Sequence, residues 1–168
     1  MAAVTSSGFA RRPMRWWHIE EVVDIEDSVF GATAWTLETF LAELAAADRW
    51  LRVAEAPSGE ILGYIDVAMG GREADLMTIA VRPDDRGRGI GAALLQAGIA
   101  AAASGGAHRM LLEVASENPA RELYQRYGFV ELHVRAGYYP DGSDAVVMRR
   151  RISEDEAASA LPDGAWDG

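Results

Sequence analysis

The chain has 168 residues, enough for one domain with a sizeable core. Its formal net charge of −10 and pI near 4.7 argue against nucleic acid as a partner and suit a cationic one, such as a basic peptide or an amine. With no cysteine there is no disulfide, thiolate metal site or cysteine nucleophile. No apolar run reaches the roughly 18–20 residues that span a bilayer, and no basic-then-apolar leader marks the N-terminus, so the expected compartment is the cytoplasm, with no membrane partner.

Residues 1–8 are small and polar and are expected to be disordered. Phe9 to Arg15 reads as a first strand. Trp17 to Val29 reads as a helix, with Ile19, Val22, Val23, Ile25 and Val29 on its apolar face. Thr36 is placed to cap a second helix through about Ala47. Trp50 to Ala56 and Glu60 to Met69 are strands joined by the hairpin signal Pro57-Ser58-Gly59. Gly70-Gly71 turns the chain into a strand that ends near Arg82. Gly89 to about Ala103 is a helix apolar on most faces, which suits packing against a sheet.

Arg109 to Val114 is a strand. Pro119 opens a helix that runs to about Tyr127 and stops at Gly128. Phe129 to Ala136 and Ala145 to Ile152 are the last two strands. The reading is an α/β domain over residues 9–152, built on one mixed, mainly antiparallel sheet of about seven strands flanked by about four helices. Residues 153–168 read as a disordered acidic tail.

The segment from Leu76 to Gly91 combines a strand, a short polar turn and a glycine-rich loop opening a helix. Such a loop leaves backbone N–H groups unpaired at the positive end of a helix dipole, a setting that binds phosphate oxygens. Gly87, Gly89 and Gly91 allow close backbone approach, and Arg86 and Arg88 add positive charge. A P-loop is excluded because the chain has no lysine, and the G-x-G spacing of Gly87-Arg88-Gly89-Ile90-Gly91 departs from the dinucleotide fingerprint. Read alone, the loop is equally a simple turn.

Two side chains have acid–base potential. Glu113 interrupts the apolar strand Met110-Leu111-Leu112-Glu113-Val114, either as a solvated or paired carboxylate or as a general base among apolar neighbours. Tyr124 either anchors a helix to the sheet or donates a proton to a leaving group. His18, His108 and His133 lack metal-ligand spacing, and no G-x-S-x-G elbow is present, so neither a metal nor a serine nucleophile is expected.

Together these features resemble the GCN5-related N-acetyltransferase (GNAT) superfamily. Arg86-x-x-Gly89-x-Gly91 matches its acetyl-CoA signature, and Leu123-Tyr124-Gln125-Arg126-Tyr127-Gly128-Phe129 its later Leu-Tyr-x-x-x-Gly-Phe signature. Within it, roughly residues 9–150 resemble the bacterial ribosomal-protein-alanine N-acetyltransferases of the RimI group. The resemblance rests on Arg12-Pro13-Met14-Arg15-Trp16-Trp17, Ala34-Trp35-Thr36, Thr78-Ile79-Ala80-Val81, Leu111-Leu112-Glu113-Val114 and Gly137-Tyr138-Tyr139.

The resemblance implies an N-acetyltransferase that uses acetyl-CoA as co-substrate and acts on the N-terminal amine of a protein, a basic ribosomal protein starting with alanine. It implies Glu113 as general base and Tyr124 as general acid. Ile79, Ala80 and Val81 would take the thioester and pantetheine arm, and Arg86, Gly87, Arg88, Gly89, Ile90, Gly91 and Ala92 the pyrophosphate. Asn118 would contact coenzyme A. Phe30, Trp35, Tyr138 and Tyr139 would wall the peptide groove. Asn118 lies six residues before Tyr124, where relatives usually have seven. Acetylation of small amines or lysine side chains, and acetyl-CoA binding without catalysis, are the alternatives.

Overall fold

A computed structural model describes residues 8–159. The expected N-terminal segment therefore lies almost wholly outside the described residues. The strands are β1 (Ala10–Pro13), β2 (Arg49–Glu55), β3 (Ile61–Gly70), β4 (Glu73–Val81), β5 (Arg109–Ala115), β6 (Val130–Arg135) and β7 (Ala145–Arg151). The helices are α1 (Ile19–Phe30), α2 (Leu37–Ala45), α3 (Ile90–Ser104), α4 (Ala120–Arg126) and α5 (Glu154–Ser159). One seven-stranded sheet has the order β1-β2-β3-β4-β5-β7-β6. Every neighbouring pair is antiparallel except β4–β5, which the α3 crossover makes parallel.

Alternation along the strands builds a core on each face of the sheet. Val53, Tyr64 and Ala80 join Ile19, Val22 and Ile25 of α1 and Phe40 of α2 on one face. Ile65, Val67, Leu76, Met110, Leu112 and Met148 pack with Leu94 and Leu95 of α3 on the other. The central strand β3 is buried from Ile61 to Val67 because both faces are covered. Thr36 caps α2 as its position suggests, accepting the Thr39 N–H at 3.2 Å. At Gly98 the sheet comes so close to α3 that an added Cβ would lie 2.8 Å from Ile65 Cδ1 and 3.2 Å from Val67 Cγ2.

The helix α5 lies at the head of the stretch expected to be a disordered tail and brings the α-helices to five among the described residues, while residues 160–168 of that stretch lie outside them. Ser153 and Glu156 form a reciprocal cap: Glu156 N–H donates to Ser153 Oγ at 3.1 Å, and Ser153 N–H to Glu156 Oε2 at 2.9 Å. Arg150 also holds Glu156 at 2.5 Å. This capping box outweighs the tail-like composition.

Asp66 of β3 is fully buried on the α1/α2 face. Burial, with Glu43 nearby, pushes its carboxyl well above the ordinary carboxylate range, and Arg49 opposes the shift only in part because it already pairs with Glu43 and Asp48. The folded state therefore binds the proton more tightly than the unfolded chain. The contribution of Asp66 to stability is greatest below the ordinary carboxylate value of about 4 and is lost as pH rises toward the raised value. Thermal melts of Asp66→Asn are expected to show a shallower decline than wild type between about pH 5 and pH 8. Separately, Gly98→Val is expected to destabilise the fold by about 1–3 kcal/mol in urea titrations, because backbone and Ile65 must yield to the new Cβ.

Candidate active site

The sheet opens between β4 and β5. Their pairing runs only from Glu73↔Arg109 to Leu76↔Leu112, although β4 continues to Val81 and β5 to Ala115. On the other edge of β4 the register with β3 passes from Val67↔Leu76 to Asp66↔Thr78, so Met77 is an extra, bulged residue at the point of parting. Bulges bend a strand and raise its twist, and this one carries β4 away from β5. The Arg82 N–H donates to Leu62 O at 2.8 Å. By antiparallel alternation Ala80 and Thr78 also turn their backbones to β3, and Ile79 and Val81 turn theirs to the gap. Of the three positions expected to take the thioester arm, Ile79 and Val81 thus face the opening, whereas Ala80 faces β3 and buries its methyl in the core.

Just beyond β4, Asp85 accepts from Arg88 at 2.7 Å and pairs with Arg82 at 3.2 Å, which locks the turn. Gly87 and Gly89 take φ of +80° and +78°, and a Cβ at either would meet nothing within 4 Å. The requirement for glycine is therefore conformational, and open space lies beside the loop. No side chain caps α3, and its first backbone bond runs from Ala93 N–H to Gly89 O at 3.0 Å. The N–H groups of Ile90, Gly91 and Ala92 are left for an external acceptor. Arg86 is exposed and makes no ion pair among the described residues. These groups fit a polyphosphate.

Across the gap, Glu113 pairs with Arg135 of β6 at 3.3 Å. Arg135 also lies over the Tyr138 ring at 5.6 Å, and the Tyr138 and Tyr139 rings meet edge to face at 5.1 Å. The Tyr138 phenol is held above its ordinary value by a hydrogen bond to Glu113 and by that carboxylate's charge. Tyr139 is raised first by burial and then by Glu113. Tyr124 of α4 is buried against Phe129 with ring centroids 5.9 Å apart, and burial followed by Tyr139 pushes its phenol upward. Four of the expected residues, Glu113, Tyr124, Tyr138 and Tyr139, thus form one cluster. Arg135 completes it and is absent from the sequence reading, because its partner is fixed by the β6–β7–β5 register rather than by any local motif.

Asn118 Oδ1 accepts the Ala120 N–H at 2.9 Å and so starts α4. Its side-chain amide N–H groups have no acceptor among the described residues. Phe30 ends α1, and Trp35 follows in the α1–α2 loop, with its ring 5.4 Å from that of Phe40. The Trp35 N–H donates to Glu26 Oε1 at 3.1 Å. Glu26 is a second residue that the periodicity of α1 does not reveal, since it sits among the buried positions of an otherwise apolar face.

The Acetyltransferase (GNAT) domain family matches residues 45–131. The chain belongs to the GNAT acetyltransferase family. It is 34% identical over 126 residues to the [Ribosomal protein bS18]-alanine N-acetyltransferase of Escherichia coli K12, covering 73% of this chain and 84% of that protein. It is 33% identical over 138 residues to the N-alpha-acetyltransferase RimI of Mycobacterium tuberculosis H37Rv, covering 78% and 85%. The crystal structure of the E. coli ribosomal-protein-S18-alanine N-acetyltransferase superposes with a TM-score of 0.78 at 29% identity, covering 86% of this chain and 94% of that one. As a GNAT protein with relatives of this kind, the chain is an acetyl-CoA-dependent N-acetyltransferase. Among the described residues no group of histidine and acidic side chains could hold a metal ion, and no helix is long and apolar enough to cross a membrane.

The GNAT cluster has a spectroscopic signature. In Glu113→Gln the Tyr138 phenol loses its carboxylate acceptor while Arg135 keeps its charge, and both changes favour the phenolate. Ultraviolet titration of tyrosinate is expected to begin at lower pH in Glu113→Gln than in wild type.

Proposed function

We propose that the chain transfers acetyl from acetyl-CoA to the N-terminal α-amine of a protein, the alanine of ribosomal protein bS18, in the cytoplasm. The observation that carries this reading is the opening of the sheet between the backbone of Ile79 and Val81 and the cluster of Glu113, Tyr138, Tyr139 and Tyr124. The acetyl donor supplies the thioester. The amides of Ile90, Gly91 and Ala92, with Arg86 and Arg88, hold its pyrophosphate, and the side-chain amide of Asn118 contacts coenzyme A. Tyr138 and Tyr139 form one wall of the peptide groove and Phe30 and Trp35 the other. A two-sided groove suits a peptide better than a small amine.

The chemistry follows from these positions. A free α-amine has a pKa of roughly 8, so a weak base suffices to remove its proton at neutral pH, and Glu113 accepts that proton directly or through water. The amine nitrogen attacks the thioester carbonyl carbon, and the oxygen gains negative charge opposite the Val81 N–H; a preorganised donor of this kind contributes about 3 kcal/mol. The C–S bond then breaks, and the departing sulfur takes its proton from the Tyr124 hydroxyl. A sequential transfer needs no covalent enzyme intermediate, in keeping with a chain that lacks cysteine.

Steady-state assays on a peptide beginning with alanine test the assignment. Glu113→Gln and Tyr124→Phe are each expected to lower kcat by about 10²–10⁴-fold with little change in acetyl-CoA affinity. Unchanged kcat in both variants removes the assigned roles.

A further inference from the structure

Glu26 is 2% exposed and shares the buried face of α1 with Ile19, Val22 and Ile25, which belong to an apolar cluster that also includes Phe40, Val53 and Tyr64. Its Oε1 accepts the Trp35 N–H at 3.1 Å. Its Oε2 accepts the Thr78 hydroxyl at 3.2 Å and the Tyr64 hydroxyl. All three donors are neutral. A carboxylate buried without a cation is costly, and an apolar side chain of similar volume would avoid that cost. Burial accordingly raises the carboxyl of Glu26, and the three hydrogen bonds only partly oppose the shift.

What these bonds connect is informative. Trp35 lies in the loop between α1 and α2, which no sheet ladder holds. Tyr64 lies on β3. Thr78 immediately follows the Met77 bulge and precedes Ile79, whose backbone faces the gap. One carboxylate thus ties the loop at Trp35 to the strand that opens the site.

Resting on the function proposed above, we infer that Glu26 is a positioning residue: it holds the Trp35 loop in fixed register with Ile79–Val81 and thereby sets the width of the peptide groove. The two elements that Glu26 ties together respond unequally to its loss. β4 keeps its ladder to β3 through Asp66↔Thr78 and Ile65↔Ile79, so the thioester wall stays in place. The loop loses the anchor at Trp35.

The test compares wild type, Glu26→Ala and Glu26→Gln on a peptide beginning with alanine, with amide hydrogen exchange at Trp35 measured in parallel. Glu26→Ala is expected to raise the peptide KM about tenfold, with kcat and the acetyl-CoA KM within about twofold. Its Trp35 amide is expected to exchange faster. Glu26→Gln keeps an oxygen for the Trp35 N–H and is expected to restore most of the affinity and the protection. Glu26→Leu, which refills the volume with apolar atoms, takes the place of the alanine variant if that one does not fold. Equal rises in both KM values, no rise in either, or a glutamine variant no better than alanine overturns the inference. So does an unprotected Trp35 amide in wild type. Absence of wild-type turnover overturns the functional reading itself, whereas turnover with an unchanged peptide KM in Glu26→Ala overturns the inference alone.

Discussion

The extra residue at Met77 governs the architecture of the site. Had the β4–β5 ladder continued past Leu76↔Leu112, the backbone groups of Ile79 and Val81 would have been spent on β5 and the strand bearing Glu113 would have been sealed against its neighbour. The bulge ends that pairing while β3 still holds the other edge of β4 as far as Gly63↔Val81. Polar backbone groups left open inside a sheet are costly unless water or a ligand meets them. The opening lies at the end of β4 that leads into the glycine loop and α3, so one strand presents its backbone to the gap and then delivers the amides of the helix N-terminus.

Charge is distributed to match two substrates of opposite sign. The start of α3 has unpaired amides, the positive end of the helix dipole, and the exposed Arg86 outside, with Arg88 paired to Asp85 beside it. Across the gap the cluster centres on a carboxylate with phenols around it. Arg135 sits 3.3 Å from Glu113 in the free protein and half of it faces solvent. On the proposed function, a substrate ammonium entering the groove would meet a carboxylate that already holds a cation. The pair is open enough to water that exchanging one cation for another costs little. The net charge of −10 belongs to the whole surface and does not override this local arrangement.

Local features were legible in the letters. The strand and helix order follows from periodicity and turn residues, and the loop at Gly87 and Gly89 follows from glycine spacing between a strand and a helix. Glu113 stands out as a carboxylate in an apolar strand, and Tyr124 is marked by the Leu-Tyr-x-x-x-Gly-Phe segment that carries the family resemblance. What stayed hidden depends on pairing across the sheet. A bulge is a difference in count between two strands, and nothing in Leu76-Met77-Thr78 announces it. Arg135 reaches Glu113 only because β7 lies between β5 and β6. Glu26 reads as one more charged residue of α1 until folding buries it beneath Tyr64 and Thr78. The helix α5 is a different case: Ser153-x-x-Glu156 is a local capping signal, but it stands at the head of an alanine- and acid-rich stretch whose composition reads as a tail.

The raised phenol of Tyr124 constrains how it can serve a departing thiolate. Burial holds the phenol above its ordinary value of about 10, whereas a simple thiol ionises near 8.5, so full proton transfer from this phenol to a free thiolate is uphill unless the phenolate is stabilised. No cation among the described residues is paired with Tyr124, and its close neighbour is another phenol, Tyr139. A lone phenolate there is penalised. In the proposed mechanism Tyr124 would therefore act first as a hydrogen-bond donor to sulfur as charge develops, and its proton would move fully only if Glu113, holding the proton from the amine, reprotonates it. On the function proposed above, the carboxylate and the phenol would act as one acid–base unit, with Tyr138 and Tyr139, both raised by Glu113, in the same cluster.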